Sequence, residues 1–276
     1  MGRVVTVGSL NVDHVTRVER HPGPGETILG ESGGRLAGGK GANQAMAARA
    51  AGAEVTMLGC VGEDEDGRAH LERLTAAGVD VSHVRRSATA PTGRAVITVD
   101  AAGENTIIVV PGANAELAAE DLAPVDALGG GDVVLLQLEV PLDVVERAIG
   151  RAGRAGATVL VNVSPWAALA PEAVAAVDVA VVNEHEALLL ADSDLVPRSV
   201  LVTFGAAGAA WDGTPADGVP VPEGEVVDTT GAGDAFCGAL AAALAAGVER
   251  TEALQRALAA GADAVRHAGA QPDGEL

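Results

Sequence analysis

The chain has 276 residues, enough for one large α/β domain or a domain with a small appendage. Its formal net charge of -20 repels phosphate backbones and anionic membrane surfaces, and with no Tyr, two Phe and two Trp it lacks the stacking platforms that single-stranded nucleic acid needs. Hydrophobic residues make up 48 % of the chain, so a core of Ala, Val, Leu and Gly is expected. Residues 3–8 are a short β-branched run closed by glycine and predict a strand. Ala-rich residues 43–51 predict a helix ended by Gly52, followed by a strand over 54–60 and a helix over 67–77 stopped by Gly78. A buried strand is predicted over 132–138 and a helix over 142–155. Strands over 158–163 and 177–182 flank a short helix, and another strand follows over 199–204. Helices over 232–246 and 251–267 come last. Strands alternating with helices predict an α/β fold with a mostly parallel sheet covered on both faces.

Two stretches break this rhythm. Residues 16–35 are rich in Gly and Pro, and residues 93–110 read as a hairpin turning through Ala101-Ala102-Gly103. Neither fits a βα unit, and the segments of about 14–36 and 92–110 are free to pair into a small sheet beside a single domain spanning 1–276. Such insertions commonly build a site or its lid. The tail after residue 269 is expected to be ordered only in part. No internal repeat is visible. Cys60 and Cys237 form no CxxC pair, no signal-peptide pattern precedes the first strand, and no apolar run reaches membrane-spanning length, so a cytoplasmic location is expected.

Four motifs carry possible chemistry. Asp228-Thr229-Thr230-Gly231-Ala232-Gly233-Asp234 lies just before an apolar helix. Its glycines leave backbone N–H groups free to meet an anion at a helix N-terminus, beside the carboxylate of Asp234. That combination suits phosphoryl transfer, with donors for the moving group and a base for the hydroxyl proton. An ordinary Gly-rich turn with an acidic first helical turn gives the same letters. Gly38-Gly39-Lys40-Gly41-Ala42-Asn43-Gln44 approaches a Walker A loop, but Gly41 stands where Ser or Thr must hold magnesium, so the P-loop reading is rejected. A tight turn into a helix, or a backbone platform for a polyol ring, both stay open. Asn43 could donate to a sugar hydroxyl or cap the helix, and Lys40 could face solvent. Gly8-Ser9-Leu10-Asn11-Val12-Asp13 puts Asn11 and Asp13 on one side of an extended segment, suited to holding adjacent hydroxyls or to a simple Asx turn. Asn183 and Glu186 fall on one face of a helical turn, where they could orient water around magnesium or merely start a helix; His185 reads as a surface residue. A dinucleotide-binding oxidoreductase is excluded, since no G-x-G-x-x-G follows the first strand.

Taken together in their order, these motifs resemble the ribokinase family of sugar and nucleoside kinases, the PfkB group. The matching runs include Gly8 through His14, Pro24-Gly25-Glu26-Thr27, Gly38 through Ala45, Pro111-Gly112-Ala113-Asn114, and Leu136-Gln137-Leu138-Glu139. They continue with Asn183 and Glu186, Asp228 through Asp234, and Gly269-Ala270-Gln271-Pro272, and so span nearly the whole chain. The resemblance implies a three-layer fold with a small β lid and an ATP-dependent kinase acting on a sugar's terminal hydroxyl. It implies that Asn11, Asp13, Gly39, Lys40, Asn43 and Glu139 contact the sugar. Asp234 is then the base, with Gly231, Ala232 and Gly233 forming the anion hole. Asn183 and Glu186 would position Mg2+ and the ATP phosphates, and Thr203, Gly205 and Gly208 would line the nucleotide site. A monovalent-cation loop, for K+, would use Asp228, Thr230, Ala264, His267, Gly269 and Asp273; His267 and Asp273 depart from the usual Arg and Ser.

The Gly-Gly-Lys-Gly-Ala-Asn-Gln run and the Asn11/Asp13 pair favour ribose. Alternatives are fructose, a deoxyribose, a nucleoside or a keto-deoxy sugar acid, for which Arg94 is the one candidate partner near the lid. A sensor that binds sugar or nucleotide without catalysis is the alternative of another class. The segment between Glu186 and Ser199 is shorter than the family usually carries. Lids in this family often pair between two subunits, which implies a homodimer.

Overall fold

The computed structural model describes residues 2–271 and 274–276. The chain runs β1 (Val4–Val7), β2 (Asn11–Arg17), β3 (Glu31–Gly38), α1 (Lys40–Ala50), β4 (Val55–Gly62), α2 (Glu65–Ala76) and β5 (Asp80–Ser87). Next come β6 (Gly93–Val99), β7 (Asn105–Val110), α3 (Ala123–Asp126), β8 (Val133–Leu136), α4 (Leu142–Ala155), β9 (Thr158–Asn162), α5 (Pro171–Val174) and β10 (Val179–Asn183). The remainder is α6 (Glu184–Ala191), β11 (Val200–Thr203), β12 (Gly208–Trp211), β13 (Thr214–Asp217), α7 (Ala232–Ala245) and α8 (Arg250–Ala264).

Nine strands form one sheet in the order β13-β12-β11-β10-β9-β8-β1-β4-β5, parallel except for β12 and β13. The short strands are apolar throughout because both faces are covered, and alternate residues serve different cores. Val4 belongs to a core shared with α1, α2, α7 and α8 on one face, and Val5 to one shared with α4, α5 and α6 on the other. With few aromatics, the first core relies on close approach. Gly238 of α7 has no room for a Cβ, which would stand 2.5 Å from the Gln44 carbonyl of α1. The two irregular stretches form a second sheet, β3-β2-β6-β7. One of its edges is covered: Gly274–Leu276 pair with β3, through Ala37 N–H to Gly274 O at 2.7 Å and Leu276 N–H to Arg35 O at 2.9 Å. The other edge, β7, is exposed along its length.

Several expectations need correction. Strand β5 and the β12–β13 hairpin have no counterpart in the sequence reading. Helix α1 begins at Lys40 rather than 43, so Asn43 lies a turn inside it and caps nothing. Between β10 and β11 the chain has the eight-residue α6 and then residues 192–199 outside any helix or strand. In the tail, Gln271 is 1 % exposed and Gly274 is buried.

Candidate active site

Strand β1 is flanked by β4 on one side and β8 on the other. The chain therefore reverses its direction of travel across the sheet there, and the carboxyl ends of β1 and β8 open a crevice between diverging loops. Both loops carry site residues. After β8 comes Glu139, whose Oε2 accepts from Ser9 Oγ at 2.5 Å and from the Lys40 N–H at 3.2 Å. After β1, Leu10 is clamped by Asn114, which accepts from the Leu10 N–H at 2.9 Å and donates to the Leu10 carbonyl at 3.1 Å. The same Asn114 amide donates to Asn11 Oδ1 at 2.8 Å. Asn114 was absent from the expected contact set, although the Pro111–Asn114 run pointed to it.

Strand alternation then sorts the side chains. Asn11 and Asp13 share one face of β2 and stand opposite Gly93 and Ala95 of β6. Gly38 gives the Asp13 carboxylate its space, because any Cβ there would strike it. Gly39, with φ 88°, opens α1 so tightly that a Cβ would sit 2.6 Å from the Asn11 N. Arg94 is opposite Val12, on the other face from Asn11 and Asp13, so it is no partner for a substrate carboxylate in this crevice.

The crevice is crowded with charge. Burial raises the Asp13 carboxyl to about 7, and the neighbouring charges of Glu139 and Asp234 push the same way. Lys40, the only lysine of the chain, is half-buried rather than solvent-facing. Burial works to neutralise it, but Asp234, Glu139 and, more weakly, Glu186 raise its pKa above the ordinary value. A cation in the first turn of a helix opposes the helix dipole. Here the surrounding carboxylates supply the compensation.

Asp234 lies in the first turn of α7 and is 7 % exposed. Its Oδ2 accepts from Asn43 Nδ2 at 2.9 Å and its Oδ1 from Gln44 Nε2 at 2.8 Å. Gly231, at φ 79°, turns the chain into α7 against Ala270, 2.5 Å from where a Cβ would be. The Ala232 N–H is directed to the Thr229 carbonyl at 3.3 Å. Among the described residues nothing accepts from the Gly233 or Asp234 N–H, so the free donors lie one residue further along than expected. Beside them opens a cavity of about 500 Å³. Thr203, Gly205 and Gly208 line it, and Val226, Phe236 and Val265 give it an apolar wall that no motif foretold.

Asn183 and Glu186 form a capping box: Asn183 Oδ1 accepts from the Glu186 N–H at 2.8 Å, and Glu186 Oε2 from the Asn183 N–H at 3.0 Å. The helix-start reading is thus satisfied. Glu186 is nonetheless buried, and among the described residues no hydrogen bond engages its second oxygen. His185 is exposed. In the loop before α7, Asp228 accepts from the N–H groups of Thr230 and Gly269, both at 2.9 Å. Burial opposes the Asp228 charge, but these donors hold its carboxyl below the ordinary range. Ala264 ends α8, and its carbonyl accepts from the His267 N–H at 3.2 Å. Asp273 lies outside the described residues.

Comparison with known proteins agrees with this geometry. The model of the pfkB family carbohydrate kinases matches residues 1–275. Ribokinase of Schizosaccharomyces pombe is 36 % identical, covering 98 % of this chain and 94 % of its own. Ribokinase of Bacillus subtilis is 35 % identical, over 98 % and 95 %. The solved structure of Arabidopsis thaliana ribokinase complexed with ribose and ATP superposes with a TM-score of 0.86 at 33 % identity, over 99 % of this chain and 96 % of that one.

Proposed function

Because the chain belongs to the pfkB family of carbohydrate kinases, we propose that it transfers the γ-phosphoryl group of ATP to the terminal hydroxyl of D-ribose. The observation that carries this reading is the place of Asp234. Its carboxylate is near enough to Asp13, beside Asn11 and Glu139, to raise that group's pKa, and the two residues before it, Ala232 and Gly233, line an apolar cavity at the start of α7. A polyol in the crevice finds carboxylate acceptors, and an adenine ring in the cavity finds Val226, Phe236 and Val265. The phosphates between them meet the unengaged N–H groups of Gly233 and Asp234. Asp234 then takes the proton of the attacking hydroxyl, and the helix-start donors stabilise charge on the transferring group. Lys40 balances the acids that surround the reacting centre. Arg94 points away from the crevice, which disfavours a sugar acid.

Two ions belong to the same reading. The free Glu186 oxygen, held by its capping box, suits a hard divalent cation, and Asn183 and Glu186 would hold Mg2+ through water. Bound there, such an ion would neutralise phosphate charge. Asp228, Thr230 and Gly269 converge, with α8 ending nearby at Ala264, so an ionised carboxylate and helix-end carbonyls would hold K+. The four-stranded sheet serves as the lid, over about residues 14–36 and 92–110, and its bare β7 edge pairs two subunits.

The test is ADP release with Mg-ATP and a sugar panel, with and without K+, for the parent and for Asp234→Asn. Ribose should support the strongest turnover. The variant should lose about 10²–10⁴ in kcat while its ribose Kd changes little. Equal turnover by parent and variant would sink the assignment of Asp234.

A further inference from the structure

Glutamine is seldom fully buried without a purpose. Of the four glutamines in the chain, Gln44 and Gln137 are 0 % exposed and Gln271 is 1 % exposed, and only Gln255 is on the surface. The three buried ones belong to a single hydrogen-bonded chain. On one side of Asp234, Gln44 Nε2 donates to Oδ1 at 2.8 Å, and Gln137 Nε2 donates to Gln44 Oε1 at 2.7 Å. On the other side, Asn43 Nδ2 donates to Oδ2 at 2.9 Å, Gln271 Nε2 donates to Asn43 Oδ1 at 2.8 Å, and Arg73 Nε donates to Gln271 Oε1 at 2.9 Å.

The direction of every bond is forced. An ionised carboxylate only accepts, so Asn43 and Gln44 must present their NH2 groups to it and their carbonyl oxygens outward. Those oxygens only accept, so Gln137 and Gln271 must donate to them. A guanidinium only donates, which is what the Gln271 oxygen requires at the far end. Four carboxamides, each able to flip in isolation, are therefore locked into one arrangement pointing at Asp234. The backbone is shaped to permit it. Gly238, one turn after Asp234 on the same face of α7, lets α1 approach, and Gly8 leaves space for Gln137 Oε1 where a Cβ would collide with it.

We infer that Gln44, Gln137 and Gln271 are positioning residues: a directed chain of buried amides that fixes the plane of the Asp234 carboxylate. This rests on the reading of Asp234 as the base. Adding up donors along such a chain strengthens each bond cooperatively. Misplacing a reacting group by about 1 Å costs about 10² in rate. None of the three glutamines needs to touch substrate for this to act.

The experiment compares Gln44→Met, Gln44→Glu and Gln271→Met with the parent. Gln44→Met should lower kcat by about 10–10² while the KM values for sugar and ATP stay within about threefold. Gln271→Met, one amide further from the carboxylate, should lose less. Gln44→Glu carries a pH readout. The new carboxyl can donate to Asp234 while protonated, but ionised it can only repel. Its kcat relative to the parent should therefore fall as pH rises, which a packing role would not produce. A ratio to the parent independent of pH, together with a parental kcat in Gln44→Met, would overturn the proposal. So would losses that fall on KM alone. A second readout needs no turnover and so separates this proposal from the function itself: the side-chain NH2 signals of Asn and Gln in 15N-correlated NMR. Asp234→Asn should shift the signals of Asn43 and Gln44 and, through them, Gln137 and Gln271, leaving Gln255 unmoved. Unmoved Gln137 and Gln271 would also overturn it, and absence of turnover with every sugar would refute the kinase reading alone.

Discussion

At the scale of single residues, Asp13 sets binding against stability. Its carboxyl is raised to about 7 by burial, then by Glu139 and Asp234, from an ordinary value near 3.8. The folded state therefore binds a proton more tightly than the unfolded chain does. Stability contributed by that proton is present below the unfolded value and is lost as pH rises through about 7. Replacing the carboxyl by an amide removes this loss. Asp13→Asn should be no more stable than the parent at pH 4, with an advantage in thermal midpoint that grows toward pH 7 and then levels. The same change removes the proposed acceptor for sugar hydroxyls, so ribose binding should weaken by about tenfold or more at pH 8. A parent and variant with parallel melting profiles across pH would contradict the assignment. The identities of Asn11, Asp13, Glu139 and Asp234 were legible because their motifs are local. Their mutual effects were not, because Asp13 and Asp234 meet only through folding. Asn114, Gln44 and Gln271 lay within recognisable runs, but partners far away in sequence carry no local signal.

At the scale of elements, the decisive contact is α1 against α7, since it delivers Asn43 and Gln44 to Asp234. Gly238 permits that approach. A Cβ there would meet the Gln44 carbonyl at 2.5 Å, the Ala47 Cβ at 2.6 Å and the Ala48 N at 2.7 Å, and two of these are backbone atoms that cannot swing away. Gly238→Ala should destabilise the fold by about 1–3 kcal/mol, as overpacking does. It should also lower kcat, because the helices must separate and take the amides with them. Denaturant midpoints together with kcat would check both effects. The contrast is Gly233→Ala, whose added Cβ meets nothing within 4 Å and should leave the fold intact. The βα units were readable because apolar strands and Ala-rich helices have distinct periods. Strand β5 was missed because Asp80–Ser87 is mostly polar, as suits an outer strand beside only β4. The β12–β13 hairpin was missed because both strands are four residues long, Gly208–Trp211 has Trp211 as its one strand-favouring residue, and Thr214–Asp217 contains a proline.

At the scale of the whole molecule, the two sheets treat their edges differently. The small sheet has one edge sealed by Gly274–Leu276 on β3, whereas β7 presents Ile107, Ile108, Val109 and Val110 at 53, 66, 44 and 37 % exposure. Proteins usually blunt an exposed edge with charge, proline or a bulge. Asn105–Val110 contains neither a charged residue nor proline, and its register with β6 is unbroken. An edge of this kind fits pairing with a second copy, in which Ile and Val side chains leave water together. The long-range charge works against it. Two chains of net charge -20 repel, and salt screens that repulsion over about 10 Å at 0.1 M. A dimer paired through β7, as proposed, should therefore tighten as ionic strength rises, the reverse of an interface held by ion pairs. Sedimentation at low and moderate salt should show mass moving from monomer toward dimer, and Ile108→Glu should remain monomeric in both. Because Asn11 and Asp13 belong to the same sheet, a subunit without the proposed partner would lose support for the strand proposed to face the sugar. The Ile108→Glu variant should then show a raised ribose KM with kcat less affected. Dimerisation that weakens with salt, or persists in Ile108→Glu, would place the subunit contact elsewhere.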